Sequence, residues 1–147
     1  METNSNIPQL SLKKEPTQFV SRKVLSSHDA EICIREFYSD DIEVYESFFL
    51  LLLNTANQTI GYVKISQGGI TATIVDVRLI AKYAVESLAT KVVIAHNHPS
   101  GNLTPSEEDK KITAKIKNGL GFLDIQLLDH IIITSNSYFS FLDEGLL

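Results

Sequence analysis

The stretch His96-Asn97-His98-Pro99-Ser100-Gly101-Asn102-Leu103-Thr104-Pro105-Ser106-Glu107-Glu108-Asp109 constrains this chain more than any other, because it dictates a strand, a turn and a helix in succession. Val92-Val93-Ile94-Ala95 before it is apolar and rich in β-branched residues, which reads as a buried strand. Residues two apart on an extended chain face the same side, so His96 and His98 can converge on one ion. Proline, glycine and asparagine then turn the chain. Thr104 as N-cap, Pro105 at the first helical position and Glu107 closing a capping box predict a helix start. Ser106 and Asp109, three residues apart, then lie on one face of that helix.

Two neutral imidazole nitrogens and a carboxylate form the three-ligand set that catalytic zinc uses, leaving the fourth tetrahedral position open. A structural zinc site would be closed by a fourth ligand and is often rich in thiolates, whereas the one cysteine, Cys33, lies far upstream and reads as a small core residue. Water activated by zinc also needs a positioned proton acceptor. Glu46 is the candidate, at the head of the apolar run Phe48-Phe49-Leu50-Leu51-Leu52-Leu53. The same residue also reads as the solvated end of the acidic segment 40–46.

A glutamate at a strand start, followed by His-x-His, seven residues, Ser, two residues and Asp, resembles the JAMM signature of the JAB/MPN metalloproteases. Every position is filled. The surrounding sequence, Ala95-His96-Asn97-His98-Pro99-Ser100-Gly101 and Leu128-Asp129-His130-Ile131-Ile132-Ile133, resembles the bacterial RadC-like branch. The likeness runs from about Ser26 to Leu147 and includes Gly68-Gly69 and Val75-Asp76-Val77-Arg78. It implies an α/β fold, a mixed sheet flanked by helices in the JAB/MPN (cytidine-deaminase-like) architecture. It also implies roles: Glu46 as general acid/base, His96, His98 and Asp109 as ligands of Zn²⁺, and Ser106 as oxyanion stabiliser. The implied reaction is hydrolysis of a peptide or isopeptide bond by metal-activated water.

The chain departs from the family pattern in two places. Val77 stands where many relatives carry proline, which bears on how the next helix begins. The helix-hairpin-helix region that precedes the domain in full-length RadC proteins is not found, so a DNA role inferred from the family loses its contacting module. A non-catalytic RadC-like binding module serving DNA-repair or mobile-element proteins is the alternative, and a broken ligand set would mark it. None is broken. A nucleobase deaminase would need His-x-Glu and Pro-Cys-x-x-Cys, both absent. The letters His-Asn-His are likewise not an HNH nuclease motif, whose residues are dispersed.

The 147 residues suit one domain, expected at 18–147 behind a flexible arm at 1–17 that mixes Asn, Ser, Pro, Lys and Glu without hydrophobic period. A net charge of −5 argues against a sequence-independent grip on phosphates, and Lys110, Lys111, Lys115 and Lys117 read as a solvated helix face. The expected partner is a peptide or protein substrate, with no strong nucleic-acid binding. A lone cysteine forms no internal disulfide, no apolar signal core opens the chain, and no apolar run is long enough for a bilayer. A cytoplasmic, soluble protein is the economical expectation.

Ser27 or Asp29 caps a predicted helix through about Tyr38, burying Ala30, Cys33, Ile34 and Phe37, and a further turn follows at 40–45. Strands at 48–53 and 59–65 form a hairpin through Asn54-Thr55-Ala56-Asn57-Gln58, and Gly68-Gly69 turns into a strand at 70–75. A helix at 77–88, a strand at 92–95, the Thr104-capped helix stopped by Gly119 and Gly121, and strands at 126–134 and 138–142 complete the reading. His28 is expected at the surface and His130 in a structural or ligand-supporting place. Asn97 and Ser100 are assigned to substrate contact or ligand support.

Overall fold

The structure, a computed structural model, describes residues 5–68 and 74–147. Helix α1 spans Ser27–Arg35, and a short 3-10 turn follows at Asp40–Glu43. Strands β1 (Ser47–Leu53) and β2 (Thr59–Gln67) lead to helix α2 (Val77–Glu86) and strand β3 (Lys91–Asn97). Helix α3 (Glu107–Gly121) then precedes β4 (Gln126–Ile133) and β5 (Tyr138–Ser140). The strand order is β2-β1-β3-β4-β5, with β3 and β4 parallel and the other pairs antiparallel, which is the mixed α/β sheet expected.

Both faces of the sheet are covered. Phe48, Leu50, Leu52, Val92 and Ile94 pack with Ile80 and Ala84 of α2 and Ile116 and Leu120 of α3. Leu51, Leu53, Val93, Ala95, Ile131 and Ile133 pack on the other side with Ala30, Cys33 and Ile34 of α1. β1 is buried at every position because it has a strand on each side and helices on each face, whereas β2 at the edge is half exposed. That difference is why one strand reads as a continuous apolar run and the other as a mixed one.

Helix boundaries moved where local chemistry intervened. The cap of α1 is Ser26, whose side chain accepts from the Asp29 amide, while Asp29 Oδ2 accepts from Leu25 N at 2.9 Å. Neither expected residue, Ser27 or Asp29, is the cap. α1 stops at Arg35, short of Tyr38, because Phe37 stacks on Tyr62 (3.9 Å, 9°) and the Tyr38 hydroxyl donates to Ser47 O at 2.9 Å. Asp76 caps α2 by accepting from Arg78 N, so Val77 begins the helix without a proline. Leu88, with φ 60, carries the left-handed turn that ends it. Gly119 lies inside α3, and Gly121 is its last residue.

The expected turn at Gly68-Gly69 and strand at 70–75 fall largely on residues 69–73, outside the described residues. Residues 5–22 carry no helix or strand, and Lys23 makes an isolated bridge to Gln58. Among the described residues no helix is long and apolar enough to cross a membrane.

The pairing of β3 with β4 is irregular at one point. Val92 pairs with Leu127, but Val93 pairs with Asp129 and Ile94 with His130, so β4 bulges by one residue at Leu128. Beyond the bulge, Asp129 shares a face with Val93 and the α1 layer, and His130 shares a face with Ile94 and α3. Asp129, 2 % exposed, accepts from Leu142 N at 3.0 Å and Ser140 Oγ at 2.6 Å, tying the C-terminal turn to the sheet; its burial pushes its carboxyl pKa up.

Candidate metal centre

β1 and β3 build the first half of the site. Phe48 pairs with His96 across the antiparallel ladder, and directly opposed residues point to one face. Glu46 and His98, two residues outward on each chain, emerge on that face at the same end of the sheet. The intervening pair, Ser47 and Asn97, faces the other way, and Ser47 N donates to Asn97 Oδ1 at 2.7 Å.

α3 supplies the second half. Its N-cap is Ser106, not Thr104: Ser106 Oγ accepts from Asp109 N at 3.0 Å, and Asp109 Oδ2 accepts from Ser106 N at 2.8 Å. Thr104 is held in the preceding loop, where its amide donates to Asn102 Oδ1 at 2.9 Å. Glu107, the expected partner of a box at Thr104, therefore opens the helix, and the reciprocal box is Ser106 with Asp109. This start fixes the Asp109 carboxylate at the helix N-terminus and aims it at the histidines.

His96 Nε2 lies 3.0 Å from His98 Nε2 and 3.3 Å from Asp109 Oδ1, and His98 Nε2 lies 3.3 Å from Asp109 Oδ2. Glu46 Oε1 stands further off, 3.8 Å from His96 Nε2. Ligand atoms of Glu46, His96 and His98 all fall within 4.8 Å of one another, a group able to hold a metal ion. The spacings separate the two carboxylates. Ligands about 2.0 Å from a tetrahedral ion sit about 3.3 Å apart; the two imidazoles come close to that spacing at 3.0 Å, and Asp109 meets it with a different oxygen toward each ring, although the mutually close group is Glu46, His96 and His98. Glu46 stands one step outside that set.

The protonation pattern suits a cation. His98 Nδ1 lies 2.5 Å from Asn102 O, and a carbonyl only accepts, so Nδ1 carries a proton and Nε2 is the nitrogen turned to the cluster. Hydrogen bonding to Asp109 raises the His98 pKa against the opposing effect of burial. Burial works against ionised Asp109 too, yet the His96 and His98 rings, each 3.3 Å away, hold its carboxyl well below the usual carboxylate range. The chain thus gathers anionic and lone-pair donors around one point, mostly shielded from water: His96 is 2 % exposed, and the side chains of Asp109 and Glu46 are 14 % and 15 % exposed.

The remaining predicted residues take distinct places. His130 is fully buried, with Nε2 2.8 Å from His96 Nδ1 and Nδ1 2.6 Å from Thr113 Oγ1, so it stands behind a candidate ligand. Burial pushes its pKa well below that of free histidine. Asn97 is not available to a substrate: it is 0 % exposed, and its Nδ2 donates to Ile42 O (2.6 Å) and Tyr45 O (2.8 Å). With Ser47 N on its Oδ1, the Asn97 amide clamps the backbone on both sides of Glu46. Ser100 is exposed in the loop, its Oγ accepting from Asn102 N at 3.3 Å. His28 is exposed at the surface, as expected. Thr113 escaped sequence reading; its position one turn after Asp109 was the available signal.

A family profile described as the RadC-like JAB domain matches residues 24–146. The chain is 46% identical over 125 residues to a UPF0758 protein of Flavobacterium johnsoniae, covering 85% of this chain and 54% of that protein. It is 39% identical over 138 residues to a UPF0758 protein of Porphyromonas gingivalis, covering 92% and 60% respectively. The chain therefore spans a little over half the length of these relatives.

Proposed function

The chain belongs to the RadC-like JAB domain family, and on that premise we propose that it is a zinc-dependent metallopeptidase hydrolysing peptide or isopeptide bonds. The observation that carries the reading is the set of donor spacings, 3.0 to 3.3 Å among His96, His98 and Asp109, with a second carboxylate just beyond them. His96 Nε2, His98 Nε2 and Asp109 would hold the ion. A zinc ion bound there supplies Lewis acidity toward an amide carbonyl and lowers the pKa of water toward about 7.

The chain's own groups do the rest. Glu46 takes a proton on its carboxylate from the attacking water and returns it to the leaving amine, the role its distance from the ligand set permits. Asn97 fixes the backbone on either side of Glu46, so the carboxylate keeps its aim. Ser106 already accepts a backbone proton at Oγ, which leaves its own hydroxyl hydrogen to donate toward negative charge developing on the substrate oxygen. The apolar layer under the site, including Phe48 stacked over His96 at 6.0 Å, keeps bulk water from the buried ring.

The test couples elemental analysis of the purified chain with a proteolysis screen. Wild type is expected to carry about one zinc, and Glu46→Gln to keep it while losing about 10²–10⁴-fold in amide hydrolysis, the usual scale for a positioned acid/base. Loss of zinc from Glu46→Gln would make Glu46 a ligand. Unchanged cleavage of a proven substrate would remove it as the base.

A further inference from the structure

Thr113 connects the two halves of the centre through His130. Its Oγ1 lies 2.5 Å from Asp109 O, one turn earlier on α3, and 2.6 Å from His130 Nδ1 on β4. His130 in turn reaches His96 Nδ1 at 2.8 Å. The direction of each bond follows from proton accounting. Two oxygens 2.5 Å apart need a hydrogen between them, and a backbone carbonyl has none to give, so the single Thr113 hydroxyl proton points to Asp109 O. Thr113 Oγ1 can then only accept from His130, which places a proton on His130 Nδ1. A neutral His130 has no second proton, so its Nε2 accepts, and His96 must donate from Nδ1. His96 Nε2 is left as the acceptor of a proton shared with His98 Nε2, 3.0 Å away.

The surroundings hold this order in place. His130 is 0 % exposed, with Phe141 stacked on it (4.5 Å, 13°) and Phe48 against its edge (6.0 Å). In the reverse chain, Thr113 would donate to His130 and two oxygen lone pairs would meet at 2.5 Å.

We propose that Thr113 and His130 are positioning residues for the metal centre: a buried relay that fixes the His96 tautomer and ties that ring to the backbone of Asp109. The proposal rests on the metal-site reading above, but the tautomer it assigns belongs to the protein without metal. The relay is the kind of outer support that histidine ligands require, and its loss typically costs 10–100-fold in metal affinity.

The first measurement is long-range ¹⁵N–¹H correlation of histidine rings in the metal-free full chain, in mildly alkaline buffer. His96 and His130 are each expected to carry the proton on Nδ1. The second is zinc affinity by competition with a chromophoric chelator for wild type, Thr113→Val and Thr113→Ser, with far-UV circular dichroism to confirm folding. Thr113→Val is expected to mix the His96 tautomers and weaken zinc binding about 10–100-fold, and Thr113→Ser to restore both. A wild-type His96 protonated on Nε2 overturns the proposal even if Thr113→Val fails to fold. So does a folded Thr113→Val with unchanged tautomer and zinc affinity. A wild type that shows the assigned tautomers yet takes up no zinc upholds the relay and defeats the metallopeptidase reading, so the two failures are distinguishable.

Discussion

Replacing Asn97 by alanine tests the link between the buried face of β3 and the acid/base candidate. The side chain is 0 % exposed and makes three hydrogen bonds, all to backbone: to Ile42 O at 2.6 Å, to Tyr45 O at 2.8 Å and from Ser47 N at 2.7 Å. Each is worth about 1 kcal/mol net, and stranding the buried partners pushes the cost toward the upper end, so about 3 kcal/mol is expected. For a domain of this length the entropy of unfolding at the midpoint is about 0.3 kcal/mol/K, and the melting temperature should fall by about 10 °C. Thermal denaturation followed by circular dichroism measures it. Asn97→Asp sharpens the comparison, since it keeps the acceptor for Ser47 N but sets carboxylate oxygens against two carbonyls. It should be at least as unstable as Asn97→Ala at neutral pH and recover in part on acidification, when a protonated carboxyl regains one donor. A fall below about 3 °C for alanine, or an aspartate variant as stable as wild type, would refute the reasoning; three bonds at about 1 kcal/mol each cannot produce so small an effect.

His96→Ala, His98→Ala and Asp109→Ala should each strip zinc from the purified chain, while Ser106→Ala keeps it and loses about 1 kcal/mol of helix capping in a melt. The metal-free chain should keep its far-UV circular dichroism, since two apolar layers pack without the ion; collapse on chelation would contradict that. Zinc affinity should climb with pH through the raised pKa of His98, because the proton that Asp109 favours there competes with the ion. In the metal-free protein the same shift stabilises the fold below the ordinary histidine pKa and fades as pH rises through the raised value. Asp109, held low, contributes above the ordinary carboxylate pKa and fades as pH falls toward its depressed value; melts across the two ranges separate them. Duplex DNA should bind weakly to this chain of net charge −5, and submicromolar binding with a steep salt dependence would reverse that expectation.

The convergence of His96, His98 and Asp109 was legible because its geometry is local. Two histidines on one strand face and a serine–aspartate pair at a helix start need only the periods of strand and helix to converge. Which residue caps α3 was less legible, since Thr104 and Ser106 both suit a cap and the choice turned on Asn102 taking the Thr104 amide. The hairpin, the burial of β1 and the mixed sheet followed from apolar patterning. The left-handed Leu88 that ends α2 and the aromatic contact that draws Phe37 out of α1 did not, because both depend on partners distant in sequence or on tolerated strain. Of the two places expected for Asn97, burial rules out substrate contact: its phase, opposite to the histidines, was right, but nothing in the sequence said that the opposite face was sealed. A supporting place for His130 was expected, but its partner Thr113 stayed hidden, because their contact depends on how α3 packs against β4.

The register of β4 on β3 behaves like a reading frame. On one side of the residue inserted at Leu128, β4 presents the carboxylate that tethers the C-terminal turn; one residue later, on the other side, it presents the ring that supports His96. Removing Leu128 alone would leave Asp129 opposite Val93 and His130 opposite Ile94 in a regular ladder, whereas a residue gained between Leu127 and Asp129 and taken into that ladder would shift both assignments together, sending the imidazole into the α1 layer and the carboxylate toward the histidines. The loop at 54–58, by contrast, joins two strand ends at the surface and can change length without altering which way either strand faces. Where a chain with this architecture admits indels, and where it forbids them, thus turns on whether the strand can carry the change as an unpaired residue.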